Sequence, residues 1–121
     1  MGDSYGVVKA AAVQAAPVVL DREATLARLE TLVEEAAGRG ARIVVLPEAF
    51  VPAYPASAVF GPVFGGFSDP AAGPAFQRLA ANSVEVPSAA TDQIGRAARK
   101  ARAHVCVGVN EGYLRALGLH P

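Results

Sequence analysis

Apolar residues recur along this chain in two rhythms. Val8–Val13 is a short run of small and apolar residues, which predicts a first strand covered on both faces. Gln14-Ala15-Ala16-Pro17 ends it. Leu26, Leu29, Val33 and Ala36 then return at spacings of three and four, with Arg28, Glu30, Glu34 and Glu35 between them. That spacing predicts an amphipathic helix over Arg22–Ala37, with Asp21 as its N-cap and Glu23 complementing the dipole in the first turn. Gly38 and Gly40 supply the stop. Ala41–Leu46 follows, with four consecutive apolar residues, three of them β-branched, which is the signature of a central parallel strand. Strand, helix and strand make one βαβ unit. Pro47 removes a backbone donor and ends the second strand.

The texture changes over Phe50–Pro74, which is rich in proline and holds four glycines and four of the five phenylalanines. An ordered surface loop concentrates aromatics in this way, and such loops shape binding sites. Pro74–Asn82 reads as a short helix. Thr91 reads as the N-cap of a further helix over Asp92–Ala103, with Ile94, Ala97, Ala98 and Ala101 on one face. Arg96, Arg99, Lys100 and Arg102 load its C-terminal half, as the helix dipole favours. Ala103–Val109 predicts a third strand, with Val105, Val107 and Val109 on one face and His104, Cys106 and Gly108 on the other. The expected class is α/β with at least three parallel strands.

Composition narrows the picture. The chain has 121 residues, with 11 Lys+Arg against 11 Asp+Glu, so it is one small domain or a piece of a larger one. Zero formal net charge gives no electrostatic reason to expect a nucleic acid or an acidic membrane surface as partner. Alanine supplies 26 residues, so the core is thinner than the hydrophobic fraction of 52% implies. No run approaches the roughly 20 apolar residues of a membrane span. Asp3, Lys9, Gln14 and Pro17 argue against an N-terminal signal peptide, and the expected location is cytoplasmic. A single cysteine, Cys106, excludes an intramolecular disulfide and any multi-cysteine metal site.

Glu48 is the leading candidate for chemistry. It follows a buried strand and Pro47, at the carboxyl edge where open α/β sheets bind ligands. Phe50 and Tyr54 stand close enough in sequence to desolvate its carboxylate and raise its pKa toward the range of a general base. The structural alternative is a surface glutamate paired with an arginine. Tyr54 either lines a substrate pocket or packs the loop. His104 and Cys106 share a strand face, but two ligands make an incomplete zinc site, and a half-buried histidine beside a buried, inert thiol is the expectation. No metal and no cofactor are expected. No G-x-G-x-x-G or Walker loop follows Val13, Leu46 or Val109, which argues against a nucleotide binder.

Four segments together carry a resemblance. Leu46-Pro47-Glu48-Ala49-Phe50-Val51-Pro52-Ala53-Tyr54-Pro55 resembles the first catalytic motif of the nitrilase superfamily of carbon–nitrogen hydrolases. Ala12-Val13-Gln14-Ala15-Ala16-Pro17 resembles that family's first strand and turn. Glu35-Ala36-Ala37-Gly38-Arg39-Gly40-Ala41 resembles its first helix end, and Val107-Gly108-Val109-Asn110-Glu111 its third strand. Order and spacing agree over Val7–Glu111. Phe50–Pro55, Phe60-Gly61 and Gly65-Gly66 are most similar to the true nitrilase branch.

The resemblance implies the N-terminal part of a four-layer αββα sandwich, with a partial hydrolase domain over residues 7–111. It implies a mechanism using a cysteine nucleophile, a glutamate base and a lysine, acting on a small-molecule nitrile or amide, with neither nucleic acid nor membrane as partner. Glu48 matches the base, Tyr54 is a candidate substrate contact, and Glu111 matches a commonly acidic position, with a supporting role or a surface ion pair as its two readings. The family's lysine and cysteine lie beyond the third strand. Neither Lys9, Lys100 nor Cys106 matches them, so the 121 residues alone are expected to be inactive. Residues 112–121 diverge from the family pattern, which reads as truncation, frameshift or a partial sequence. The full-length form is expected to be a homo-oligomer. The competing reading is a non-catalytic module that keeps half the fold and binds a small molecule or a related subunit.

Overall fold

Asp21 opens the first helix. Its extended backbone and its carboxylate, which accepts from the Ala24 amide at 2.9 Å, satisfy one of the donors a helix start leaves free. The computed structural model describes residues 2–54 and 73–112. Over these the elements are β1 (Ala10–Ala12), α1 (Arg22–Gly38), β2 (Ile43–Val45), α2 (Gly73–Ala81), α3 (Ala89–Ala101) and β3 (His104–Cys106). The Phe50–Pro74 loop falls largely outside the described residues, as do residues 113–121 of the divergent tail.

The strands form one parallel sheet in the order β1-β2-β3, with Ala11 opposite Val44 and Val44 opposite Val105. The second strand is central, as its β-branched run predicts. Each strand is shorter than its apolar run. Flanking residues such as Val13, Arg42 and Leu46 still bond to the neighbouring strand, but outside the regular ladder.

Helices α1 and α3 pack on one face of the sheet and against each other. Leu26, Leu29, Val33 and Ala36 are all buried, as their spacing predicts, and pack with Val44, Leu46, Phe50 and Val51. Burying a Leu or Val of this kind contributes about 1.5–3 kcal/mol. Ile94, Ala97 and Ala101 meet the same core, and so do Val105, Val107 and Val109. Lys9 closes the other end of α1, donating from Nζ to the Arg39 carbonyl at 2.6 Å.

Two expectations are corrected here. Helix α3 starts at Ala89, not at Asp92, because Ser88 is the N-cap. Its hydroxyl accepts from the Ala90 amide, and Thr91 sits at the third position, accepting from the Ser88 amide at 2.8 Å. Two capping residues stood three apart, and the inner one was mistaken for the outer. The first strand is not covered on both faces either, since Ala10 and Ala12 are exposed and Ala11 is half-buried between them, and the central strand alternates in the same way. Ile43 and Val45 are 38% and 42% exposed, while Val44 between them is fully buried. The described residues place helices on only one side of the sheet.

Candidate functional site

Glu48 sits at the carboxyl edge of the central strand, where its sequence position put it. The local geometry comes from a break in the β2–β3 ladder. The last bond before the break runs from the Leu46 amide to the Cys106 carbonyl at 2.8 Å. Gly108 then pairs with two residues at once. Its amide donates to the Pro47 carbonyl and its carbonyl accepts from the Val51 amide, both at 3.3 Å. Residues 48–50 are therefore looped out of the ladder between two anchors on one glycine. Beyond it the pairing resumes, with Val51 bridged to Val109 and the Asn110 amide donating to the Val51 carbonyl at 2.9 Å.

Inside this excursion Ala49 adopts a left-handed conformation, φ +48°. The reversal sends neighbouring side chains to opposite sides. Phe50 turns into the core at 1% exposure, and Glu48 is exposed. Phe50 therefore does not desolvate Glu48 as expected, because its ring joins the helix-side core. Among the described residues the Glu48 carboxylate has no ion pair and no hydrogen bond, so the arginine partner of the structural alternative is not found there. Tyr54 is 53% exposed, and no hydrogen bond joins it to Glu48 among the described residues. The Asn110 side chain fixes the approach to Tyr54 by donating from Nδ2 to the Ala53 carbonyl at 2.7 Å. Sequence reasoning gave Gly108 and Asn110 no role, although both lie in a segment it quoted.

Glu111 is exposed and bridges to Val84, without an ion pair among the described residues. Cys106 and His104 lie together on the open sheet face, and both are exposed. That corrects the expectation of a buried thiol and a half-buried histidine. The strand alternation was right, but no helix covers that face. No group of three or more His, Cys, Asp and Glu side chains among the described residues is placed to hold a metal ion. No described helix is long and apolar enough to cross a membrane.

A groove of about 700 Å³ lies elsewhere, at the N-terminal ends of α1 and α3, and is lined by Arg22, Glu23, Ser88, Gln93 and Arg96 among others. It shares no residue with the Glu48 edge. Arg22 is already committed there, donating to the Ser83 and Ala81 carbonyls and pairing with Glu23. Its two serines are committed to backbone, Ser83 donating to the Leu79 carbonyl and Ser88 capping α3, and the parallel-sheet edge remains the better place for chemistry.

A parallel α/β layer carrying the Glu48 carboxylate on an excursion at the carboxyl edge of its central strand defines the class of architecture. Within it, the chain belongs to the carbon-nitrogen hydrolase family, which it matches over residues 9–115. It is 41% identical over 103 residues to an aliphatic nitrilase of Sinorhizobium fredii, covering 85% of this chain and 33% of that protein. It is 38% identical over 108 residues to a nitrilase of a Bacillus strain, covering 89% and 30%. A bifunctional nitrilase/nitrile hydratase of Nicotiana tabacum is 38% identical over 114 residues, covering 92% and 32%. These relatives agree with the branch expected from Phe50–Pro55. The chain spans about one third of the length of the curated relatives it matches.

Proposed function

We propose that these residues form the first part of a hydrolase of non-peptide carbon–nitrogen bonds, with a nitrile as substrate. A nitrile and two waters give a carboxylic acid and ammonia. Glu48 is the general base, taking the proton of a nucleophilic thiol and later helping to activate water. Tyr54 faces the substrate. The observation that carries this reading is the placement of Glu48 on its own excursion at the sheet's carboxyl edge, in a chain whose relatives bear nitrilase names. The thiol and the lysine come from sequence beyond the third strand.

The 121 residues by themselves hydrolyse no nitrile. A general base contributes about 10²–10⁴-fold, which is too little for an unreactive nitrile without a covalent nucleophile to divide the barrier. The test is a chimera in which the 121 residues are continued by the downstream portion of the Sinorhizobium fredii relative, assayed by ammonia release from a panel of nitriles. Activity in the chimera, none in the short chain, and loss on Glu48→Gln is the expected pattern. Glutamine keeps the size and hydrogen bonding of glutamate but cannot take the proton. An active Glu48→Gln chimera removes the role given to Glu48. A short chain that releases ammonia removes the claim that it lacks a nucleophile.

A further inference from the structure

We infer that Gly108 is a positioning residue for Glu48, acting through backbone contact from the neighbouring strand. The inference rests on the reading of Glu48 as the base, but its geometry stands independently. A Cβ built at Gly108 would lie 2.4 Å from the Ala49 nitrogen, 2.7 Å from the Glu48 Cα and 2.8 Å from the Glu48 carbonyl carbon. All three are backbone atoms, so no side chain can swing away to make room. The Glu48-Ala49 peptide rests directly on a bare Cα.

The same glycine anchors both ends of the excursion, through its amide to Pro47 and its carbonyl to Val51. It thus fixes where the excursion begins, where it ends and how closely it lies against β3. Other glycines set the contrast. A Cβ at Gly95 or Gly38 would meet nothing within 4 Å, and Gly40 is required by its φ of +93° and not by a close contact. Asn110 adds a second tether from the same strand extension, holding Ala53 through its side chain.

An added methyl at Gly108 has to push the Glu48-Ala49 peptide away by about 1 Å to reach ordinary contact. A misplacement of about 1 Å can cost on the order of 10²-fold in rate when the displaced group acts in the reaction. The ladder beneath, from β1 to Leu46, has no reason to move.

The experiment compares Gly108→Ala, Asn110→Ala and the control Gly95→Ala. In the 121-residue chain, the carboxyl-carbon NMR shift of Glu48 and the hydrogen exchange of the Val51 amide are read beside exchange in α1. Gly108→Ala is expected to shift the Glu48 signal and speed Val51 exchange while α1 protection holds, and Gly95→Ala to leave the Glu48 signal unmoved and Val51 exchange no faster. In the chimera, Gly108→Ala is expected to lower kcat about 10²-fold with KM within a few-fold, and Asn110→Ala to change the same readouts in the same direction but less. Should Gly108→Ala fail to fold, Asn110→Ala decides, since it adds no atom. An unmoved Glu48 signal, or an unchanged kcat where Glu48→Gln abolishes activity, overturns the positioning role alone. An active Glu48→Gln chimera instead overturns the reading of Glu48 and leaves the geometric contrast to be judged by the NMR and exchange data.

Discussion

The Thr25 hydroxyl and the Val18 peptide satisfy each other twice: Oγ1 donates to the Val18 carbonyl at 2.9 Å and accepts from the Val18 amide at 3.1 Å. Thr25 is fully buried on α1, and Val18 lies in the connection that leads from β1 into the helix. The Val18 carbonyl also accepts from the Asp21 amide at 3.1 Å, so of the two Val18 groups it is the amide that depends on Thr25 for a partner within the chain. Thr25→Val keeps the shape and removes both bonds. It is expected to destabilise the chain by about 1–3 kcal/mol, and Thr25→Ser, which keeps the hydroxyl, by less. Denaturant midpoints of the three proteins check this. A valine variant as stable as the parent would mean that water takes over the Val18 amide while the Asp21 amide alone satisfies the Val18 carbonyl.

The start of α3 gives a second comparison. Ser88→Ala removes the N-cap hydroxyl and is expected to cost about 1 kcal/mol. Gly95→Ala replaces a glycine inside the helix where an added Cβ meets nothing within 4 Å, and is expected to gain up to about 1 kcal/mol. Opposite shifts of the thermal midpoint are the expected outcome. A Ser88→Ala protein unchanged in midpoint would return the capping role to Thr91.

These cases mark what was legible in the sequence. The helix face of α1 was readable because Leu26, Leu29, Val33 and Ala36 answer to a local period, and all four are buried. Val105, Val107 and Val109 were readable for the same reason, from strand alternation. Ser88 was missed because the apolar rhythm of α3 begins only at its middle, near Ile94, and leaves the first turn unmarked. The exposure of Ile43, Val45 and Cys106 was not readable from their own segments, because an apolar strand looks the same whether one or two layers cover it. The position of Glu48 was readable but its setting was not. The excursion over residues 48–50 depends on Gly108, a partner far along the chain, and on the handedness of Ala49.

The open sheet face carries a third prediction. Ile43 and Val45 project from the central strand onto the side without described helices, beside Ala10, Ala12 and Cys106 of the flanking strands. Exposed apolar strands of this kind favour self-association. The 121-residue chain is expected to bind an apolar dye and to sediment with a mass that rises with concentration. The double variant Ile43→Lys, Val45→Lys is expected to reduce both while leaving the helical circular dichroism intact. A parent chain that stays monomeric and dye-free would show that the face is shielded in solution.

The last prediction concerns Cys106, which separates accessibility from catalysis. Its thiol is exposed on the open face, opposite Val45 in the sheet register, so a soluble thiol reagent can reach it without unfolding the chain. Access does not make it a nucleophile for nitriles. His104 is two positions away on the same strand face, and no hydrogen bond joins its ring to the Cys106 thiol among the described residues. Without a hydrogen-bonded base, the thiol is expected to react with an aromatic disulfide at one equivalent per chain without denaturant, at concentrations low enough to keep the chain monomeric. Cys106→Ser should abolish labelling yet leave ammonia release by the chimera unchanged. Labelling that requires denaturant would mean the face is covered in solution, in agreement with self-association. Loss of nitrile hydrolysis in the Cys106→Ser chimera would instead make this cysteine part of the reaction, and would overturn the assignment of the nucleophile to sequence beyond the third strand.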